Sequence, residues 1–235
     1  MTFTIRKLSL LSLTLIVILP LTACGSTGKK SPSPAEYESE VVKLERVYNA
    51  DRTNEEAAIK YSTALRDANR LNRAYLVMTP LAEKSGQDNP KIFVEYSSLL
   101  AASGNFKGAE SYANKAIRLD PNSGEAYNAL GNALEAQNKH IEAETALRTA
   151  LEKWKGNALP VLNNLGLNLA VQGKTDEALA MLAKANELSP GHTEVERNIR
   201  IVSALRLEGG AKKPGAEAPT KKPADTPKPE TKPKS

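Results

Sequence analysis

The sequence predicts an all-α fold in which pairs of antiparallel helices follow one another along the chain. Three observations lead to this prediction: small residues that recur about every 34 positions, apolar residues at helical spacing, and short polar turns between them. The clearest marker is an alanine in each copy, at Ala74, Ala109, Ala143 and Ala178, with spacings of 35, 34 and 35 residues. Four copies of the pattern predict four helical hairpins.

Each copy contains two groups of apolar and small residues, which fit two helices. In the third copy Leu130 and Leu134 fall on the first helix, and Leu147 and Ala150 fall on the second. Small residues are needed where two helix backbones cross closely. The first helix of each copy carries such a residue, and these are Ser62, Ser97, Gly131 and Gly166.

Short polar turns separate the two helices of a copy. They are Ser103-Gly104-Asn105, Gln137-Asn138-Lys139 and Gln172-Gly173-Lys174. Glycine is expected there because a helix end needs a left-handed residue. Pro121 and Pro190 follow the second helix of two copies. Because proline cannot continue a helix interior, both are predicted to end that helix.

The combined pattern resembles the tetratricopeptide repeat. The resemblance implies a right-handed solenoid of antiparallel helix pairs. An ordinary helical bundle is the alternative, but it would not repeat its small residues in register. Residues 193–207 are predicted to form a C-terminal capping helix, and residues 35–50 an N-terminal helix that is either a cap or half of a further hairpin. The repeats are placed at about residues 55–88, 90–123, 124–157 and 159–192.

The amino terminus has the features of a bacterial lipoprotein signal. Arg6 and Lys7 precede an apolar run over residues 8–21, which is too short to span a bilayer as a stable helix. The run ends in Leu21-Thr22-Ala23-Cys24-Gly25, which resembles the lipobox of bacterial lipoproteins. The resemblance implies cleavage before Cys24 and a covalent lipid on its sulfur, with no other cofactor. A secretory signal with a chance cysteine is the alternative.

Cys24 is the single cysteine of the chain, which excludes an intramolecular disulfide and a cysteine metal cluster. Gly25 stands where lipoproteins kept in the inner membrane carry aspartate, so the resemblance implies a lipid-anchored protein on the periplasmic face of the outer membrane. Residues 24–34 are rich in serine, glycine, lysine and proline, and this composition predicts a flexible tether.

The carboxyl-terminal segment, residues 208–235, is predicted to be a disordered Lys/Pro/Ala-rich tail because it has no aliphatic residue larger than alanine. It carries a net charge of +3 and the signal segment carries +2, so the formal +5 leaves residues 24–207 neutral. This distribution does not indicate nucleic-acid binding. A contact with peptidoglycan carboxylates and a solvated spacer are both compatible with the tail.

No arrangement of residues indicates catalysis, a metal site or a small-molecule substrate. The two histidines, His140 and His192, are expected to be exposed residues of inter-helix turns. The carboxylates of Glu142 and Glu144 are expected on helix faces without a fixed partner. The chain is therefore expected to be non-enzymatic.

The resemblance also implies a binding surface, since the first helix of each hairpin lines the concave side in this repeat type. Asparagines on successive first helices are expected to stand close together there. Carboxamides both donate and accept hydrogen bonds, which suits an extended peptide backbone, although side chains that only fill a solvated groove are the alternative. The predicted groove residues are Val94, Ser98, Asn128, Asn132, Glu135, Asn163 and Leu167, with Ile59 and Arg66.

Taken together, the lipobox and the repeats over residues 21–207 resemble two groups of bacterial lipoproteins. These are the lipoproteins of the tight-adherence (Tad/Flp) pilus system and the pilotins of type IVa pili. The four hairpins and the closing stretch 193–201 favour the Tad group. The resemblance implies a scaffold for a secretin or another pilus-assembly protein. An adaptor for periplasmic peptidoglycan hydrolases or envelope-biogenesis complexes is the alternative.

Overall fold

Ten α-helices make up the part of the chain that the computed structural model describes, residues 33–84 and 86–211. The predicted signal segment, the lipidation of Cys24 and nearly all of the predicted tail lie outside the described residues. The helices are α1 (Pro34–Ala50), α2 (Glu55–Asp67), α3 (Leu71–Ala82), α4 (Pro90–Ala102), α5 (Phe106–Leu119), α6 (Gly124–Glu135), α7 (His140–Lys153), α8 (Leu159–Val171), α9 (Thr175–Leu188) and α10 (Thr193–Ala211).

Four helical hairpins follow one another, formed by α2 and α3, α4 and α5, α6 and α7, and α8 and α9. Helix α1 packs against α2 and buries Val41, and α10 packs against α8 and α9 and buries Val195 and Val202. The predicted all-α tetratricopeptide-repeat fold is confirmed.

The solenoid has an inner layer of first helices and an outer layer of second helices. The first helices α2, α4, α6, α8 and α10 approach one another in sequence. Among the described residues, no two of the second helices α3, α5, α7 and α9 come into comparable proximity. Because helices on the inner side of a curved stack lie closer together, the first helices line the concave face.

Each hairpin depends on a close crossing of its two helices. A Cβ atom built on Gly131 would lie 2.6 Å from Cγ of Leu147, and one built on Gly166 would lie 2.8 Å from Cγ of Leu182. In the second hairpin Ser97 takes this place, and its hydroxyl donates to the carbonyl of Ala109 at 2.8 Å. Three of the four predicted small residues, Ser97, Gly131 and Gly166, are therefore at the crossing points.

The turns between the helices of a hairpin use the left-handed backbone that the sequence predicts. Gly104 and Gly173 have φ values of 84° and 77°, and Asn138 has a φ of 61°. The turns after the second helices contain Pro121 and Pro190, directly beyond the ends of α5 and α9.

A repeated polar contact joins each outer helix to the turn of the following hairpin. The Tyr75 hydroxyl is hydrogen-bonded to the Ser103 hydroxyl. One repeat later Gln137 donates to Glu110 at 2.8 Å, and two repeats later Gln172 donates to Glu144 at 2.9 Å. A lysine two residues after each glutamine donates to the same carboxylate: Lys139 to Glu110 and Lys174 to Glu144. These contacts hold neighbouring hairpins in register. The expectation that Glu144 has no fixed partner is therefore wrong.

Within the described residues, helix α10 is the last helix of the stack, and Glu196, Arg197 and Arg200 lie exposed on it. It begins 34 residues after α8, so the large side chain of Arg200 stands at the register position of Gly166. The helix also continues to Ala211, beyond the predicted start of the tail at residue 208. Each residue added to a helix that has already formed gains one backbone hydrogen bond. This gain offsets part of the unfavourable helix propensity of Gly209 and Gly210.

Candidate protein-binding groove

The predicted groove residues lie on the first helices α4, α6 and α8, which form the concave face. Val94 and Ser98 on α4, Asn132 on α6 and Leu167 on α8 are all half-buried. Their side chains are therefore partly accessible. Ile59 on α2 is half-buried in the same way.

Pairs of asparagines connect successive first helices in the carboxyl-terminal half. Asn164 donates to Oδ1 of Asn128 at 3.0 Å, and Asn198 donates to Oδ1 of Asn163 at 2.8 Å. Asn163 and Asn198 are both buried. Asn163 therefore holds α8 to α10 and does not offer its carboxamide to a partner, in contrast to its expected role. Asn132, which makes no side-chain hydrogen bond within the described residues, retains that capacity.

Glu135, another predicted groove residue, is used to connect two hairpins. Its carboxylate accepts a hydrogen bond from Asn168 and lies 2.9 Å from Nδ1 of His140. His140 begins α7 and is half-buried, and His192 is only 5% exposed. The expectation that both histidines are exposed turn residues is therefore wrong for His192, because the turn before α10 is packed against the hairpin that precedes it.

Arg66 forms a buried ionic cluster and does not face an open groove. Its guanidinium contacts both oxygens of Glu95 at 3.3 Å, and its Nη1 lies 3.3 Å from Asp67. Ser62 and Thr63 also donate to Glu95, at 3.0 and 2.9 Å. Burial raises the pKa of Asp67 to about 6, although the charge of Arg66 opposes this shift. The cluster closes the amino-terminal part of the concave face.

Exposed aliphatic side chains mark the other end of the concave face. Val171 is 62% exposed, Ile201 is 48% exposed and Leu205 is 45% exposed. In the 34-residue register that relates α8 to α10, Leu205 is the counterpart of Val171, and Ile201 is the counterpart of Leu167, a predicted groove residue. Ile201 lies one helical turn before Leu205 on α10. We call these three residues the apolar end of the groove.

Sequence reasoning missed the apolar end because it treated α10 only as a cap. Extending the repeat register from α8 into α10 would have placed Ile201 and Leu205 on the concave face. The buried cluster around Arg66 had no comparable signal, since the pairing of Arg66 with Glu95 does not recur in the other repeats.

Within residues 33–84 and 86–211, no three histidine, cysteine or acidic residues are grouped so that they could hold a metal ion. In the same residues, each helix is either too short or too polar to traverse a bilayer.

Models of the tetratricopeptide repeat match residues 90–123 and 112–145. The chain is also 30% identical over 127 residues to the type IV pilus assembly protein PilF of Pseudomonas aeruginosa. The match covers 53% of this chain and 50% of PilF, so the chain spans about half the length of this curated relative. The chain is thus a tetratricopeptide-repeat protein that resembles PilF.

Solved structures show the same fold. TTC0263, a tetratricopeptide-repeat protein of Thermus thermophilus, matches with a TM-score of 0.64 at 18% identity, over 74% of this chain and 92% of that chain. The first such domain of human RPAP3 matches with a TM-score of 0.50 at 17% identity, over 53% of this chain and 97% of that chain. The tetratricopeptide repeats that the family models match indicate a scaffold for protein interactions.

Proposed function

We propose that the chain is a non-enzymatic scaffold, anchored to the outer membrane by a lipid on Cys24, that binds a protein component of a pilus or secretion apparatus. The observation that carries the proposal is the apolar end of the groove, where the repeat register places three exposed aliphatic side chains on the concave face of the repeat stack. The likeness to PilF over half of the chain supports a pilus-related partner.

The apolar end differs from the rest of the concave face because its side chains remain accessible to a partner. Towards the amino terminus, Arg66 and Glu95 satisfy each other's charges. In the middle, Asn128 and Glu135 are bonded to the next hairpin, and Asn132 remains free. A partner segment would therefore place aliphatic side chains against Val171, Ile201 and Leu205 and hydrogen-bond Asn132 with its backbone.

A lipid anchor makes such a scaffold effective without any chemical turnover. Two or three acyl chains on Cys24 would hold the chain at the membrane durably, where one chain alone is marginal. Tethering raises the local concentration of a bound partner at that membrane, which favours its insertion or oligomerisation there. A secretin or another pilus-assembly protein is the partner that this mechanism fits.

The test is crosslinking in intact envelopes followed by purification of the chain and identification of the bound proteins. Three forms are compared: the native chain, the double variant Val171→Asp/Ile201→Asp, and the variant Ile141→Asp as a matched control. Ile141 is 71% exposed on α7, an outer helix. We expect the native chain and the control to retain a secretin or pilus-assembly protein, and the double variant to lose it.

A Cys24→Ser variant tests the anchor separately, since it should release both the chain and its partner from the membrane fraction. Recovery of peptidoglycan hydrolases or synthases without a secretin would contradict the proposed partner and favour the adaptor alternative. Equal recovery from all three forms would show that the groove does not bind the partner.

A further inference from the structure

A separate cleft of about 500 Å³ lies where the ends of α3 and α5 meet the start of α4. The cleft is wide and open to solvent, so a ligand held in it would be covered on one side only. The aromatic rings of Phe93 and Tyr112 line it, their centroids 5.9 Å apart. Neither residue belongs to the predicted groove.

The cleft lies beside the end of α3, which is shorter than the other outer helices. Helices α5, α7 and α9 each have 14 residues, whereas α3 has 12. Pro80 lies two residues before its end and has no N–H with which to continue the hydrogen-bond ladder. Glu83 and Lys84, which directly follow the end of α3, line the cleft together with Phe93 and Tyr112.

Cationic side chains surround this space. Lys84, Lys115 and Arg118 line the cleft, and within the described residues none of them forms an ion pair. The ammonium of Lys115 lies 3.9 Å from the centroid of the Tyr112 ring and 5.7 Å from that of Phe93. Glu83 is the one carboxylate of the lining, so the cleft carries a net charge of +2.

Two further features of the lining bear on the kind of ligand. Burial and the charge of Glu83 raise the pKa of Tyr112, so its hydroxyl stays neutral and can donate a hydrogen bond to an anion. Leu119 is 44% exposed and extends the apolar wall at the mouth of the cleft. An ammonium held over an aromatic face keeps N–H groups available for a carboxylate.

We propose that this cleft is a second binding site, which takes a carboxylate attached to an aromatic or large aliphatic body, as in the acidic end of a partner peptide. The carboxylate contacts Lys115 and Arg118, and the apolar body lies against Phe93, Tyr112 and Leu119. The site is independent of the groove and does not require the proposed function.

The probe is N-acetyl-L-phenylalanine, which has a carboxylate and a benzyl group, compared with its primary amide, which lacks the charge. Binding to the full-length chain in dodecyl maltoside is followed by ligand-observed ¹H NMR, with protein-free micelles as the blank. Acetate is added as a competitor to separate recognition of charge from recognition of the apolar body. Each measurement is repeated with added NaCl, which screens exposed charges.

Substitutions in the lining make the test specific. Lys115→Gln and Arg118→Gln should each weaken binding of the acid by roughly two- to fivefold, the range for a partly exposed charge pair. Glu83→Gln removes a repelling charge and should tighten binding by about twofold. Lys107→Gln on the same helix, outside the cleft, is the matched control and should leave binding unchanged. Circular dichroism verifies that each variant is folded.

The site is supported if the acid binds more tightly than the amide and acetate competes poorly. It is further supported if Lys115→Gln and Arg118→Gln weaken binding of the acid while Glu83→Gln tightens it. Equal binding of acid and amide would overturn the role of the cations. Equally strong competition by acetate would overturn the role of the aromatic wall. Absence of binding at millimolar probe would overturn the site itself.

Discussion

Glu144 should stabilise the folded chain through its charge, and this can be measured as a pH-dependent effect. Its Oε2 accepts from Nζ of Lys174 at 2.6 Å and from Nε2 of Gln172 at 2.9 Å, and its Oε1 accepts from Nη2 of Arg148 at 2.8 Å. Burial alone raises the pKa of Glu144, but these hydrogen bonds outweigh it and lower the pKa to about 2. The substitution Glu144→Gln removes the charge and keeps the shape.

The size of the effect follows from the difference between folded and unfolded pKa values. A shift of the pKa of Glu144 from the ordinary value of 4.5 to about 2 corresponds to about 3 kcal/mol of stability, at about 1.36 kcal/mol for each pKa unit. The side chains of Arg148 and Lys174 are 45% and 40% exposed, so solvent screens part of this energy. We expect Glu144→Gln to lower the free energy of unfolding by about 1–2 kcal/mol at pH 7.

The sign of the pH dependence is fixed by the lowered pKa of the folded state. The contribution of Glu144 is fully present above pH 4.5 and disappears as the pH falls towards 2, when the folded form also becomes protonated. The difference between native and variant stability should therefore shrink steadily between pH 5 and about pH 2.

Urea unfolding followed by circular dichroism, at pH 7 and again near pH 3, measures this difference directly. Glu152→Gln is the matched control, since Glu152 lies exposed on the same helix and forms no ion pair in the described part of the chain. It should change stability by less than about 0.5 kcal/mol at either pH. A loss of stability for Glu144→Gln that is the same at both pH values would refute the reasoning, because packing and not charge would then be responsible.

Three further substitutions test other parts of the structure by the same unfolding measurement. Asp67→Asn should raise the free energy of unfolding by about 1–2 kcal/mol at pH 7, because burial raises the pKa of Asp67 from 3.8 to about 6. The cost of ionising Asp67 in the folded chain builds up between these two pH values and is complete above about pH 6. Lower stability of the variant at pH 7 would contradict this. Gly131→Ala should lower the free energy of unfolding by about 1–3 kcal/mol, because the added methyl group would overlap Leu147. In a chain that already carries Leu147→Ala, the same substitution should cost less. Strict additivity of the two changes would disprove this. Asn198→Ala should lower the free energy of unfolding by about 1–3 kcal/mol, because it leaves the buried Oδ1 of Asn163 without its hydrogen-bond donor. Asn132→Ala should leave the free energy of unfolding nearly unchanged.

The repeat pattern predicted most of the fold because each repeat must satisfy the same steric requirement. A helix crossing as close as that of Gly131 and Leu147 excludes a larger side chain, so the small residue recurs at a fixed interval. The left-handed turn at Gly173 imposes a similar requirement. Features dictated by backbone geometry in every copy are therefore visible in a single sequence.

Features that depend on the identity of two neighbouring side chains are not visible in the same way. The repeat register placed Asn163 on the concave side of its helix, but its burial depends on Asn198 in the next helix. The ionic cluster of Arg66 and Glu95 likewise requires two particular residues, 29 positions apart, that no other repeat carries. Such pairs convert expected binding residues into structural ones.

The distribution of these pairs determines where the concave face can still bind a partner. Where polar residues of successive first helices pair with each other, as Arg66 with Glu95 and Asn128 with Asn164, their hydrogen-bonding groups are used within the chain. Beyond the last pair, no further hairpin follows α10 within the described residues, and Ile201 is left 48% exposed. An aliphatic residue left exposed at that place has no structural role that the fold requires, and this is why we assign partner binding to the carboxyl-terminal end of the groove.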